Sequence, residues 1–131
     1  MSAKLLAAVS SYFDHGLLII DDPRSQKTHS NWNPNVEAVH LDDDSLYIGV
    51  RQTVSGIVSI SIFEGNGPSC GELLFSGVVN FPSQKMRIYD PNEKACLFIP
   101  IDFKKVKMRI YGDDFDESKE VEIFLDGHDP L

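Results

Sequence analysis

The chain has 131 residues, of which 42% are hydrophobic and 24% charged, and a formal net charge of -8. That length supports a single hydrophobic core without staples, so one domain spanning residues 1–131 is expected. No apolar run approaches the roughly 18 residues of a membrane span, and the acidic balance lacks the basic footprint of a dedicated nucleic-acid binder, so neither a membrane nor a nucleic acid is expected as a partner.

Met1 to Val9 carries one Lys and a short Leu-Leu-Ala-Ala-Val run without a small-residue cleavage site, and reads as mature sequence. For residues 4–11 two options stay open, a helical turn or an edge strand. His15 to Asp21 is an apolar run between Gly16 and Asp-Asp-Pro, the mark of a buried strand. From Arg24 to Asn35 the chain turns to Ser, Gln, Thr, His, Asn and Pro around a single Trp32, which reads as a long loop. Trp32 either caps one end of the core or anchors a recognition loop.

Val36–Leu41 and Leu46–Arg51 flank Asp42-Asp43-Asp44-Ser45, a hairpin pattern, and Gly49 within the second run suggests a bulge or a close backbone approach. In Ile57–Phe63 the alternation sends Val58, Ile60 and Ile62 inward. Glu64–Gly71 is a glycine-rich turn without the Lys-Ser or Lys-Thr of a phosphate-binding loop. Glu72 to Phe81, with Leu74 and Val78, gives a further strand closed by Pro82-Ser83.

Lys85-Met86-Arg87-Ile88-Tyr89 then returns as Lys107-Met108-Arg109-Ile110-Tyr111. In both copies Met and Ile fall on one side of a period-two alternation, so Met86, Ile88, Met108 and Ile110 are expected to be buried. If the two exposed faces shared one sheet, their Lys, Arg and Tyr residues would form a basic, aromatic-edged patch. Ala95–Asp102 lies between the copies, and Val121–Leu125 closes the chain. Eight or nine short strands with frequent turns and no long amphipathic helix make an all-β, antiparallel β-sandwich the expected fold. An exposed edge, with the repeated Met-Arg-Ile-Tyr strand as a candidate, offers a route to a homodimer.

Nothing in the chain pairs a nucleophile with a base, so no catalytic residue is assigned and a non-enzymatic protein is expected. Cys70 and Cys96 are too few for a disulfide framework or a zinc site, and reduced thiols in a cytoplasmic protein are the expectation. His15, His29, His40 and His128 stand in separate segments without metal-ligand spacing and read as surface or internally satisfied histidines. Asp114-x-Asp116-x-Ser118 opens like an EF-hand loop, but Lys119 replaces the required glycine and Leu125 the bidentate Glu. No metal and no cofactor are assigned. The charge is segregated: basic residues gather between Lys85 and Arg109, acids at Asp21-Asp22, Asp42–Asp44 and Asp113–Glu122. Asp113, Asp114, Asp116, Glu117 and Glu120, with Trp32, are the candidate contacts for a basic protein partner such as a nuclease. The plainer reading of these acids is a solvated hairpin, and the alternative function is a calcium-dependent or carbohydrate-binding β-sandwich module that uses loops at one end of the sandwich.

Leu-Ile-Ile-Asp-Asp-Pro at 18–23, Trp32, Leu-Phe-Ser-Gly at 74–77 and Met-Arg-Ile-Tyr-Gly-Asp-Asp at 108–114 are landmarks along the predicted strand order. Through them the chain resembles small bacterial β-sandwich proteins similar to the competence protein J family, whose best-known role is inhibition of a DNA-entry nuclease. The resemblance lies in the pattern of strand, Trp loop and closing hairpin, and carries over no functional residue. It implies a cytoplasmic bacterial binding protein of inhibitor or immunity type.

Overall fold

The computed structural model describes residues 3–29, 32–33, 37–52, 56–65, 67, 69, 71–93, 96–115 and 117–127. Ten strands follow one another: β1 (Lys4–Ser11), β2 (Leu17–Asp21), β3 (Val39–Asp42), β4 (Ser45–Gly49), β5 (Val58–Glu64), β6 (Glu72–Asn80), β7 (Lys85–Tyr89), β8 (Cys96–Pro100), β9 (Lys105–Gly112) and β10 (Glu120–Gly127). They form two five-stranded sheets, ordered β1-β5-β10-β9-β6 and β3-β4-β2-β7-β8. The all-β sandwich is therefore present, with ten strands where eight or nine were expected. Residues 4–11 take the strand option: β1 pairs antiparallel with β5 at the edge of the first sheet. Among the described residues no helix is long and apolar enough to cross a membrane.

Alternation explains the core. Val58, Ile60 and Ile62 of β5 are at most 1% exposed while Ser59 between them faces solvent. Met86, Ile88, Met108 and Ile110 are each at most 2% exposed. They meet Leu18, Ile20, Leu46, Ile48, Ile123 and Leu125 in one core between the sheets. Burial of a large apolar side chain contributes about 1.5–3 kcal/mol, which is why a period-two pattern alone is enough to say which face turns inward.

Several expectations change once the sheets are assembled. The repeated strands are not neighbours: β7 lies in one sheet between β2 and β8, β9 in the other between β10 and β6. Their Met and Ile side chains enter the core from opposite sides, so their polar faces point away from each other and the combined basic patch does not form. Neither strand is an edge; the edges are β1, β6, β3 and β8. The antiparallel expectation also has an exception, because β10 runs parallel to β5. Both strands start from the same end of the sandwich, where the Val50 bridge to Ser118 and the Arg51 N–H to Ser118 O bond of 3.1 Å join their entry segments.

Gly49 pairs with Leu17 in unbroken register, so no bulge lies there. Bulges occur instead between Leu5 and Ala7 and between Leu73 and Phe75. The second resets the parity of β6, so Val79 and Phe81 are fully buried while Val78 faces outward at 39% exposure. Glycine is needed at Gly16, where φ is +63° and a Cβ would lie 2.9 Å from Val50 O. The β3–β4 hairpin forms as predicted, its turn placing Asp43 at φ 55°, a conformation Asp tolerates.

Candidate protein-binding face

Most acidic clusters of this chain are bonded internally. Asp22 is fully buried, and its Oδ1 accepts from Arg24 N and Ser83 Oγ, both at 2.9 Å, while Oδ2 accepts from Ser83 N at 2.8 Å. Asp44 accepts from Ser25 Oγ at 2.7 Å, and Asp43 from the Asn80 side-chain amide. Asp21 is 4% exposed and takes a two-pronged ion pair from Arg87, with Nε to Oδ1 at 3.0 Å and Nη2 to Oδ2 at 3.1 Å. Tyr89 adds its hydroxyl at 2.9 Å to Oδ2. These carboxylates hold loops and strands together and offer little to a partner.

The closing turn between β9 and β10 is different. Asp113, Asp114, Glu117 and Glu120 are all exposed. Among the described residues the ion pairs are Lys27–Asp42, Glu37–His40 and Asp21–Arg87, none of them in this turn. Asp116 lies outside the described residues. The turn is built rather than loose: Asp113 Oδ1 accepts from Lys119 N at 2.9 Å and Glu120 N at 3.3 Å. Ser118 is fully buried; its Oγ donates to Asp114 O at 2.6 Å and accepts from Asp114 N at 3.1 Å. Gly112 permits that approach, since a Cβ there would fall 2.3 Å from Ser118 Oγ and 2.7 Å from Leu74 Cδ1. Ser118→Ala is expected to lower stability by about 1–2 kcal/mol, through loss of both bonds at a buried site. Urea unfolding reads this out, and an unchanged midpoint would show that Ser118 does not hold the turn.

Trp32 is half-buried. Its Nε1 donates to Glu37 O at 2.9 Å and its ring meets Tyr47 edge-on at a centroid distance of 5.7 Å. The other partner of Tyr47 is His29, stacked at 3.8 Å. Trp32 thus packs on the outer face of the β3–β4 sheet and keeps part of its ring in solvent. Gly49 N donates to Ala38 O at 2.9 Å, and the next residue, Val50, bridges to Ser118. Ala38 and the acidic turn therefore approach the same end of the sandwich.

His29 and His40, separate in sequence, meet with their Nδ1 atoms 2.8 Å apart, one ring donating to the other. His29 is 6% exposed, and its Nε2 shares a 2.8 Å hydrogen bond with Ser45 Oγ. The reading of internally satisfied histidines holds for His29, while the pairing had no signal in the spacing. Burial, then the neighbouring His40, lowers the pKa of His29 below 6.5, against the opposing charges of Asp42 and Asp44. Between that lowered value and about 6.5 the unfolded chain binds a proton that the folded chain refuses, so stability falls as pH drops through this window. The melting temperature is expected to decrease from pH 7.5 to 5.5, with a shallower decrease in His29→Gln. Equal slopes for the two proteins would rule out His29 as the cause.

The described residues Gly65, Gly67 and Ser69 of the glycine-rich turn lie against β10 of the first sheet. A Cβ on Gly67 would lie 3.4 Å from Phe124 Cε2, Gly65 N donates to Leu125 O at 2.8 Å, and Ser69 Oγ donates to Glu122. Cys96 is exposed with a free thiol, whereas Cys70 and His128 lie outside the described residues. Among the described residues no three His, Cys, Asp or Glu side chains gather as a metal site.

No protein-family profile matches the sequence, and no curated protein matches it. Two solved structures do match in three dimensions. The product of crocagin biosynthetic gene J superposes with a TM-score of 0.61 over 98% of this chain and 99% of its own, at 10% identity. ComJ of Bacillus subtilis, an inhibitor of the DNA-degrading activity of NucA, superposes with a TM-score of 0.74 over 98% of this chain and 100% of its own, at 6% identity. Despite that low identity, the resemblance drawn from the sequence landmarks is sound at the level of architecture: this chain has the fold of ComJ.

Proposed function

We propose that this chain is a non-enzymatic binding protein of inhibitor type. It captures a basic protein, such as a nuclease, through the carboxylates of its closing turn. Asp113, Asp114, Asp116, Glu117 and Glu120 form the charged contact, and Trp32 supplies an aromatic anchor. The observation that carries this reading is the contrast among the acidic clusters: Asp21, Asp22 and Asp44 are bonded inside the fold, whereas the described acids of the closing turn are exposed and without an ion pair. Carboxylates held on a rigid turn steer a cationic partner and meet Lys and Arg in charge-assisted hydrogen bonds. The fold shared with ComJ, an inhibitor of a nuclease, supports the same class of activity. A cytoplasmic location fits this role.

The test is a pull-down with the tagged protein from lysate of its own source, at low and high salt, with bound proteins identified by mass spectrometry. One basic protein, recovered at low salt and lost at high salt, is the expected result. A partner held equally at both salts, or none at all, would overturn the acidic face as the binding site.

A further inference from the structure

Beside the closing turn, the outer face of the first sheet is hollow. Register places Ser59 opposite Glu120, and Ser61 opposite Glu122, which also faces Tyr111 on its other side. On this face β5 therefore contributes a row of small hydroxyl side chains next to a row of long carboxylates. Gly71 and Gly112 border the same space. The result is a cavity of about 290 Å³, walled by Ser59, Ser61, Tyr111, Asp113, Glu120 and Glu122.

Among the described residues every polar side chain in this wall can accept a hydrogen bond, three are carboxylates, and Lys, Arg and His are absent from it. Glu122 is held in place by the Ser69 hydroxyl. Of the cations that β9 turns to this face, Lys105, Lys107 and Arg109, Arg109 sits beyond Tyr111, its guanidinium 5.6 Å over the Phe124 ring and its Nη1 3.5 Å from the Tyr111 hydroxyl. A bare metal ion fits this arrangement badly. Among the described residues no three His, Cys, Asp or Glu side chains come together here as the cage of oxygens that calcium needs. An elongated organic cation suits it better. A planar guanidinium offers several donors to separated carboxylates and hydroxyls at once, and its face stacks on a tyrosine ring.

We infer that this cavity is a socket for an arginine side chain presented by the basic partner. The inference rests on the acidic-face reading and adds to it the side chain that is recognised. Its test uses the intact protein in two measurements. In the first, backbone amide NMR shifts are followed while N-acetyl-arginine methylamide is added, with N-acetyl-lysine methylamide and calcium chloride as separate arms. Saturable shifts at Ser59, Ser61, Gly71, Gly112 and Glu122 with the arginine probe, weaker with lysine and absent with calcium, are expected. They should vanish in Ser61→Met, which fills the cavity without changing the net charge. Equal responses to all three probes, or shifts confined to other residues, would overturn the socket.

The second measurement compares partner capture. Ser61→Met is expected to weaken the complex about tenfold, the scale of a lost charge-assisted contact, with its fold checked by an unchanged amide spectrum elsewhere. Capture that stays salt-sensitive yet is unaffected by Ser61→Met would overturn the socket and leave the acidic face standing. Salt-insensitive capture would remove the acidic face, and the probe titration still decides whether the cavity takes arginine.

Discussion

Replacing Arg87 with Met is expected to destabilise the protein by about 3–5 kcal/mol, the cost of leaving a buried charge without its partner. The charge is that of Asp21, 4% exposed on β2 and opposite Arg87 in the β2–β7 register. Burial is the strongest influence on Asp21 and raises its pKa above the ordinary value of 3.8, even against the hydrogen bonds from Arg87 and Tyr89. The same pair raises the pKa of Arg87, and burial also raises that of Tyr89. The pair is thus costly to desolvate and costly to break.

Without Arg87, the Asp21 carboxyl would hold its proton to still higher pH. A folded-state pKa above the unfolded one means that stability is lost as pH rises through the folded value, so the deficit of Arg87→Met should widen toward neutral pH. Urea unfolding across pH checks both the size and the trend. Adding Asp21→Asn to Arg87→Met should recover most of the loss, because the buried charge is then gone. A single-variant cost below about 1 kcal/mol would mean that Asp21 finds solvent or another partner when Arg87 is removed.

The second large effect is expected in binding. Asp113→Asn with Asp114→Asn should weaken capture of the basic partner about tenfold at low salt, with a smaller difference at high salt, where screening has already removed much of the attraction. The choice of Asn matters. Asp113 Oδ1 accepts two backbone amides of the turn, and an Asn carbonyl can accept both, so charge changes while the turn is kept. Stability should stay within about 0.5 kcal/mol of the original. Equal affinity of the double variant at low salt would count against the closing turn as the contact, and a large loss of stability would show that the turn depends on charge.

The two repeated strands show how far a sequence pattern reaches. Met86 and Ile88, and Met108 and Ile110, were legible as core residues because alternation is a property of each strand alone. The basic patch built from the same strands was not, because it required both to lie in one sheet, and β7 and β9 lie in different ones. The acidic clusters divide in the same way. Asp21-Asp22 and Asp113-Asp114 look equivalent as dipeptides, yet one pair is buried by partners from β7 and the turn before it, while the other stays on the surface.

By itself, the sequence determined that the chain is all-β, that its strands are short and half-buried, and which parity of β5, β7 and β9 builds the core. Each of these follows from the period-two geometry of a strand and from turn chemistry, both of which act over a few residues. Only the tertiary structure decided which strands are neighbours, that β10 runs parallel to β5, and that His29 meets His40. It also decided that a serine row lies beside a glutamate row to leave a cavity. Those outcomes depend on the packing of segments tens of residues apart, where many pairings satisfy the same local pattern and the closure of a single shared core selects among them.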